Sequence, residues 1–246
     1  MTFKVVNKEA DIPDAMVDGK PTLVYWNIVG LALPIRLALV YAGVDFVDVR
    51  IDAGDPSSPD FNTAYPPAKA GKLSKILPFP NLPYYLDADG VAIAQTNSIL
   101  RFIARKYGLV SNKEHLTDYL CNHLSDLESG FAGIIYGKSA EATLAWYKTN
   151  APAFLAKFSE LIQADGTPFL TGDEPRIDDF KLYTLLHKLC ILQKDLGNEE
   201  TKGIVTDDLL EYMKRIEELP KIKEYLASPD HLPVPINNPI AKWIGN

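Results

Sequence analysis

The chain has 246 residues, 47% of them hydrophobic, so it can bury a sizeable core in one or two domains. Its formal net charge of -7 argues against nucleic acid as a partner, because neutralising phosphates requires clustered lysine and arginine. No apolar run reaches the roughly 20 residues that a membrane span needs, and residues 1–9 lack the apolar block of a secretory signal. Cys121 and Cys190 lie far apart, which favours reduced thiols and predicts a cytoplasmic protein.

The first part of the chain alternates between strand and helix patterns. Residues 1–19 are predicted to be a polar extension, and residues 20–107 an α/β domain. Residues 53–72 are rich in proline, glycine and serine and are predicted to form a long loop. The predicted elements, in chain order, are a strand over 22–26, a helix over 33–41, a strand over 45–51, a hairpin over 83–86 and 91–94, and a helix over 98–107.

The second part of the chain is predicted to be helical. Residues 108–117 are interpreted as a linker, after which apolar residues recur with helical spacing. Residues 118–246 therefore form an all-helical domain, and the prolines between positions 229 and 239 give it an extended C-terminal tail.

The segment around the predicted hairpin says most about function. Asn81, Leu82 and Pro83 precede its first strand, and a proline entering a strand removes one ladder donor. A cis bond before Pro83 would turn the Leu82 N–H and C=O toward solvent, where they can pair with a peptide. Gln95 and Thr96 open the following helix, whose bare amides and positive dipole end attract an anion. Together these features predict a receptor for a small acidic peptide.

A second motif precedes the first helix, where Tyr25 and Trp26 end a strand and Pro34 fits the first helical turn. With the hairpin segment, this ordered set resembles the glutathione S-transferase family, most closely its mu-type branch, across roughly residues 22–109. The resemblance implies an α/β thioredoxin-like N-terminal domain followed by an all-α C-terminal helical domain. It also implies a homodimer with glutathione as co-substrate and no metal or other cofactor.

Tyr25 is the expected catalytic residue. Only the thiolate of glutathione is a strong nucleophile, and a thiol of this kind has an ordinary pKa of about 8.5. A phenol that donates a hydrogen bond to the sulfur favours the charged form. A core tyrosine is the alternative, and the neighbouring motifs favour catalysis. No cysteine precedes Cys121, which excludes disulfide exchange at this position, and the histidines show no metal-ligand spacing.

The resemblance assigns the main glutathione-binding residues by position. Leu82 would pair its backbone with the cysteinyl part of the peptide, beside Asn81 and Pro83. Gln95 and Thr96 would hold the γ-glutamyl carboxylate at the helix start. Thr96 as a simple N-cap is compatible with this role, because the ligand caps the remaining amides.

Three further residues complete the predicted peptide site. Lys72 would pair with the glycyl carboxylate, although Lys69 and Lys75 compete for that role and a solvated loop lysine is the alternative. Trp26 and Leu31 match family positions that line the same pocket, and their alternative is ordinary core packing.

The resemblance also assigns residues to a second site and to a dimer. Tyr136 would project its hydroxyl into the electrophile site. Asp126 would reach the glutathione bound to the partner subunit, with a solvated carboxylate as the alternative. Phe79 matches an aromatic residue that related dimers insert into their neighbour, and Arg101 and Arg105 are expected near the same interface.

Two positions depart from the family pattern. Val29 stands where family members usually carry an arginine. The loss of this charge would weaken the polar network around the thiolate. Arg176 stands where a serine or threonine N-cap is expected before Asp179, so capping would have to come from elsewhere, with Asp178 as the candidate.

The sequence thus predicts a glutathione transferase that adds the glutathione thiolate to hydrophobic electrophiles. A glutathione-dependent isomerase uses the same first site and differs in the second pocket. A non-catalytic ligand-binding or structural protein on the same fold is the third possibility. Tyr25, Pro83 and the pair Gln95–Thr96 together favour the enzyme, because a structural role would not need them.

Overall fold

A mixed five-stranded sheet organises the N-terminal part of the chain. The computed structural model describes residues 1–137, 139–164, 166–197 and 201–245. The strands are β1 (Thr2–Val6), β2 (Thr22–Trp26), β3 (Val47–Ile51), β4 (Tyr84–Leu86) and β5 (Ala92–Ala94). They lie in the order β1–β3–β2–β4–β5. β1 and β2 run parallel to β3, whereas β4 is antiparallel to both β2 and β5.

β2 and β3 form the buried centre of the sheet. Every residue of β3 is buried, and in β2 only Trp26 is partly exposed. Strands that are covered on both faces carry continuous apolar residues, as in β2, whereas β3 also buries Asp48 and Arg50, which form an ion pair. Helix α1 (Leu33–Ala42) connects β2 to β3 and ends at Gly43, whose φ of 73° suits a left-handed C-cap. The predicted strands, hairpin and helices of this part are confirmed, with boundaries shifted by one or two residues.

The structure corrects two predictions for the N-terminal part. Residues 1–19 are more than a polar extension, because β1 adds a parallel edge strand beside β3. An edge strand contributes backbone hydrogen bonds while its side chains stay largely in solvent, so its apolar pattern is weak. Residues 53–72 are not loop throughout, since they contain the short helix α2 (Tyr65–Ala70), whose prolines fit its first turn.

Long helices build the C-terminal part. After α3 (Thr96–Tyr107), the chain forms α4 (Glu114–Gly137), α5 (Ala140–Ala164), α6 (Ile177–Leu196), α7 (Asp207–Glu217) and α8 (Pro220–Ala227). Because α4 begins at Glu114, the second part of the predicted linker, residues 108–117, is already helical. No helix in the described part of the chain has the length and apolar character that crossing a membrane requires.

Helix α6 joins the two parts of the molecule. It packs against α1 on one side and α4 on the other, and most of its residues are buried. Asp179, rather than Asp178, completes its N-terminus by accepting a hydrogen bond from the Arg176 amide at 2.7 Å. The fold class is the predicted one, a thioredoxin-like α/β domain followed by an all-α domain.

Candidate active site

Tyr25 lies near the end of β2 and is 6% exposed. Gly30 approaches it with a φ of 41°, and a Cβ built on Gly30 would lie 2.5 Å from the Tyr25 hydroxyl oxygen. Only glycine therefore leaves room for the ring. Burial raises the pKa of Tyr25, and a backbone interaction with Leu31 and the charge of Arg36 oppose this rise only in part. The phenol stays protonated at neutral pH, as a hydrogen-bond donor must.

A buried arginine fixes the loop that follows Tyr25. Arg36 donates from Nη1 to the Ile28 carbonyl at 3.0 Å and from Nε to Asp48 at 2.9 Å. Arg50 donates to the same Asp48 oxygen at 2.6 Å, so two guanidinium groups share one carboxylate. The motif-based predictions missed Arg36. The sequence feature that could have identified Arg36 is the presence of an arginine within an otherwise apolar helical segment.

Three predicted segments meet at one end of the sheet. Val24 of β2 pairs with Tyr84 of β4, which pairs in turn with Ala94 of β5. Continuing this register places Trp26 beside Leu82 and brings the start of α3 to the same end. The end of β2, the entry to β4 and the exit from β5 are thus brought together, as a common peptide site requires.

The entry to β4 has the predicted backbone geometry. The Leu82–Pro83 peptide bond is cis, which is the geometry on which the predicted peptide pairing depends. Leu82 is 8% exposed, Pro83 is buried and Asn81 is exposed. Among the described residues, neither the Leu82 N–H nor its C=O pairs with another backbone group outside the sheet ladders. These main-chain groups at the entry to β4 can therefore pair with an extended peptide.

The start of α3 is open to an anion. Gln95 is its N-cap residue, exposed and held at a φ of 76°, and no side chain of the described residues caps the first turn. Thr96 is therefore the first helical residue and not the N-cap, which settles that alternative, and it is 9% exposed. A non-glycine residue at positive φ is strained, and such strain clusters at ligand sites.

Three other residues considered for the peptide site, Trp26, Lys69 and Lys72, each contact another part of the protein. Trp26 is half-buried and packs edge-on against Tyr65, with ring centroids 5.4 Å apart. Lys72 donates to the Ala10 carbonyl at 3.2 Å, so its ammonium already has one main-chain partner. Lys69 lies over the Tyr65 ring at 6.0 Å. The assignment of the glycyl-end residue stays a prediction.

A cavity of about 170 Å³ opens beside Tyr25, between the two parts of the chain. Tyr136 lines this cavity, and the Tyr136 hydroxyl accepts a hydrogen bond from the Asn238 amide at 3.0 Å. Its role at an electrophile site stays a prediction. Burial raises the pKa of Tyr136. Leu31 also lines the cavity and is 37% exposed. The full lining consists of Tyr25, Ile28, Gly30, Leu31, Glu128, Ser129, Phe131, Ala132, Ile135, Tyr136, Lys188 and Asn237.

The C-terminal tail holds the loop after Tyr25. The Val29 amide donates to the Pro235 carbonyl at 2.9 Å, and the Gly30 amide donates to the Ile236 carbonyl at 3.0 Å. Val29 itself is fully buried, so this position contributes packing and a main-chain bond in place of a charge. Sequence patterns could not reveal this contact, because it joins main-chain groups about 200 positions apart.

One wall of the cavity is charged. Glu128 on α4 accepts hydrogen bonds from Lys188 at 2.7 Å and from Lys181 at 3.3 Å, both on α6. Burial alone would raise the pKa of Glu128, but the two ammonium groups hold it below its usual value. These residues were not predicted. The sequence feature that could have revealed them is a pair of lysines seven positions apart in an otherwise largely apolar helical segment.

The residues predicted for a dimer lie on the outside. Phe79 is 84% exposed, and Asp126 is exposed on α4 and does not line the cavity. Arg101 is paired with Asp118 at 2.5 Å. An exposed phenylalanine of this kind is a feature of interaction surfaces.

Comparison with known proteins agrees with this geometry. Residues 21–105 match the model of the glutathione S-transferase N-terminal domain, and residues 125–229 match that of the C-terminal domain. A glutathione S-transferase of Tyrophagus putrescentiae is 33% identical over 232 residues, covering 93% of this chain and 99% of the relative. Glutathione S-transferase Mu 2 of Macaca fascicularis is 33% identical, covering 90% of this chain and 97% of the relative.

Solved structures show the same architecture. The pi-class glutathione S-transferase of Onchocerca volvulus superposes with a TM-score of 0.68 at 28% identity, covering 90% of this chain and 99% of that one. The glutathione S-transferase Blo t 8 superposes with a TM-score of 0.75 at 24% identity, covering 92% and 100%. The chain belongs to the glutathione S-transferase family, and its enzyme class is that of a glutathione transferase.

Proposed function

We propose that the chain conjugates the glutathione thiolate to hydrophobic electrophiles, with Tyr25 as the residue that stabilises the thiolate. The observation that carries this proposal is a buried, protonated phenol on the wall of a cavity, at the sheet end where Leu82 and Gln95 also lie. The sulfur of bound glutathione would accept a hydrogen bond from the Tyr25 hydroxyl. A lone pair of the thiolate sulfur then forms the carbon–sulfur bond to the electrophile.

The groups present can supply the free energy that stabilising the thiolate requires. Lowering the thiol pKa by about two units requires about 2.7 kcal/mol of differential stabilisation. A hydrogen bond to a charged group contributes about 1.5–3 kcal/mol, and the positive end of α3 adds to it. Leu82 and Asn81 would hold the peptide, Gln95 and Thr96 its γ-glutamyl carboxylate, and Lys72 its glycyl carboxylate. The proposal needs glutathione as co-substrate and no metal or redox cofactor.

Replacing Tyr25 with phenylalanine tests the proposal. We expect Tyr25→Phe to bind glutathione with similar affinity and to lose roughly 10- to 1,000-fold in the rate of conjugation to chlorodinitrobenzene. Ultraviolet absorbance of the bound thiolate should show a higher thiol pKa in the variant. Tyr41→Phe, which removes a hydroxyl bonded to Glu174 outside the cavity, is the matched control. Near-wild-type turnover of Tyr25→Phe would refute the role of Tyr25.

We further propose that the chain works as a cytoplasmic homodimer in which Phe79 enters an apolar pocket of the partner and Asp126 reaches the partner's glutathione. Burying Phe79 fully would contribute about 1.5–3 kcal/mol per copy. Sedimentation of Phe79→Ala at low micromolar concentration should show a shift toward monomer and a weaker affinity for glutathione. Leu210→Ala, another exposed apolar side chain, should leave the dimer intact. An unchanged Phe79→Ala dimer would contradict the contact.

A further inference from the structure

The cavity beside Tyr25 has an unusual composition for a pocket that holds an apolar electrophile. Phe131, Ile135 and Tyr136 make one side apolar, whereas Glu128 and Lys188 both line another side. The Lys188 side chain is only 8% exposed, so its ammonium group lies within the cavity wall rather than in bulk solvent. The transferase function proposed above does not use either charge.

The charges in this wall do not balance. Lys181 and Lys188 share the single carboxylate of Glu128, which gives the three residues a net charge of +1. Lys181 also donates to Ser125 at 2.8 Å, and it does not line the cavity. Lys188 has no hydrogen-bond partner other than Glu128 among the residues that the structure describes. An ammonium group carries three N–H donors, so Lys188 has donors left for a ligand.

A buried ammonium group selects what lies next to it. A fully apolar occupant would remove water from Lys188 and leave its remaining donors without acceptors, which is costly. An occupant with an anionic oxygen would instead supply an acceptor and neutralise the excess charge. The same residue thus disfavours one class of ligand and favours another.

We propose that the second substrate of this enzyme is an electrophile that carries a carboxylate, and that Lys188 is the residue that binds this carboxylate. The inference rests on the proposed transferase function, whose first site it leaves unchanged. The reaction remains a displacement or addition at carbon. With a chloroarene, the carbon–sulfur bond forms, the carbon–chlorine bond breaks and chloride leaves with the bonding electron pair.

A matched pair of substrates tests the inference directly. Chlorodinitrobenzoate and its methyl ester react by the same chemistry, and the ester lacks the negative charge and carries one additional methyl group. We expect the wild-type enzyme to have a kcat/KM for the carboxylate about 10- to 100-fold above that for the ester, after correction for the uncatalysed rates, with the difference residing in KM. Equal values, or a preference for the ester, would overturn the inference.

Two lysine variants separate contact from overall charge. Lys188→Met and Lys181→Met each remove one positive charge and leave Glu128 with one partner, so both keep a balanced buried pair. Lys188→Met should raise the KM for the carboxylate substrate and so abolish the preference for it. Lys181→Met should leave this preference unchanged. Lys188→Arg should restore at least part of the preference. Loss of the preference in both methionine variants would show that Lys188 acts through the field of the cluster, and would contradict the proposed contact.

Failure of this inference can be told apart from failure of the proposed function. An enzyme that conjugates both compounds without discrimination has the transferase activity and lacks the carboxylate site. If neither compound is conjugated, the proposed function fails, and calorimetric binding of the two compounds still tests the site. Tighter binding of the carboxylate, lost in Lys188→Met, would support the inference. Equal binding would refute it.

Discussion

The two halves of the candidate site present different chemical groups. The proposed glutathione half, formed by Tyr25, Leu82, Gln95 and Thr96, offers a neutral phenol, main-chain groups and an open helix end. The proposed acceptor half, formed by Glu128, Tyr136 and Lys188, offers side chains of long helices and includes buried charges. Recognition would therefore depend on backbone geometry in the first half and on side-chain chemistry in the second.

This difference determines how each half responds to substitution. Main-chain groups survive most side-chain changes, so apart from the Tyr25 hydroxyl the glutathione half is sensitive mainly where the backbone itself is constrained. Buried charges depend on their partners, so the acceptor half is sensitive wherever one member of a pair is removed. Three substitutions, taken from the largest expected effect to the smallest, test this contrast.

The first substitution removes the carboxylate of the acceptor half. Glu128→Gln would leave Lys181 and Lys188 buried with no opposite charge, and breaking a buried pair in this way costs about 3–5 kcal/mol. Urea unfolding should show this loss in the free energy of unfolding. Asp126→Asn, an exposed carboxylate on the same helix, should change it by less than about 0.5 kcal/mol.

The pH dependence of the same two proteins sharpens this test. Because the pKa of Glu128 is lowered in the folded protein, its stabilising contribution is present above the unfolded pKa and is lost as pH falls through the folded value. Wild type and Glu128→Gln should therefore converge in stability under acid conditions. Equal stability at neutral pH would show that the cluster contributes nothing to the fold.

The second substitution constrains the glutathione half. Gly30→Ala places a Cβ 2.5 Å from the Tyr25 hydroxyl oxygen at a φ of 41°, so the ring must move. We expect a stability cost of about 1–3 kcal/mol and a loss of roughly 10-fold or more in conjugation rate. Gly43→Ala meets only the flexible end of Lys221 at a φ of 73° and should lose stability without losing rate. Unchanged activity of Gly30→Ala would show that the ring position is not required.

The third substitution concerns Asp178, a buried acid that forms no ion pair with the residues that the structure describes. Burial raises the pKa of Asp178, and the charge of Asp179 raises it further. The folded state thus favours the protonated form, which contributes stability at low pH that is lost as pH rises through the folded pKa. Asp178→Asn cannot ionise and should increase the free energy of unfolding at about pH 8, with a flatter profile between about pH 5 and 8.

An exposed acid is the control for this profile. Asp207→Asn, in the first turn of α7, should follow the wild-type profile closely. A lower stability of Asp178→Asn across the whole range would show that the Asp178 carboxylate is paired in the folded protein, against the burial argument. The contrast with Glu128 then measures what a partner contributes to a buried acid.

The sequence was sufficient where local chemistry dictates structure. Proline and the residues around it identified the entry to β4, and the polar residues before Ile99 identified the start of α3. The patterns over residues 22–26 and 45–51 identified the strands β2 and β3. These features depend on neighbouring residues in the chain, which a single sequence displays.

The sequence was insufficient where contact joins distant segments. The edge strand β1 has exposed side chains, and its place in the sheet depends on pairing with β3, more than 40 residues away. The tail carbonyls of Pro235 and Ile236 are chemically ordinary until the fold brings them to Val29 and Gly30. Main-chain partners of this kind leave no residue type by which to recognise them.

The sequence by itself determined the order of strands and helices and, through its resemblance to a known family, the class of the fold, the catalytic candidate Tyr25 and the segments expected to bind the peptide, because the motifs that carry the resemblance are local. Only the tertiary structure decided what surrounds them. It placed Arg36 behind the loop of Tyr25, and it brought Glu128 of α4 against Lys181 and Lys188 of α6. Charges become informative about a ligand only when burial and partners are known, since water would otherwise screen them.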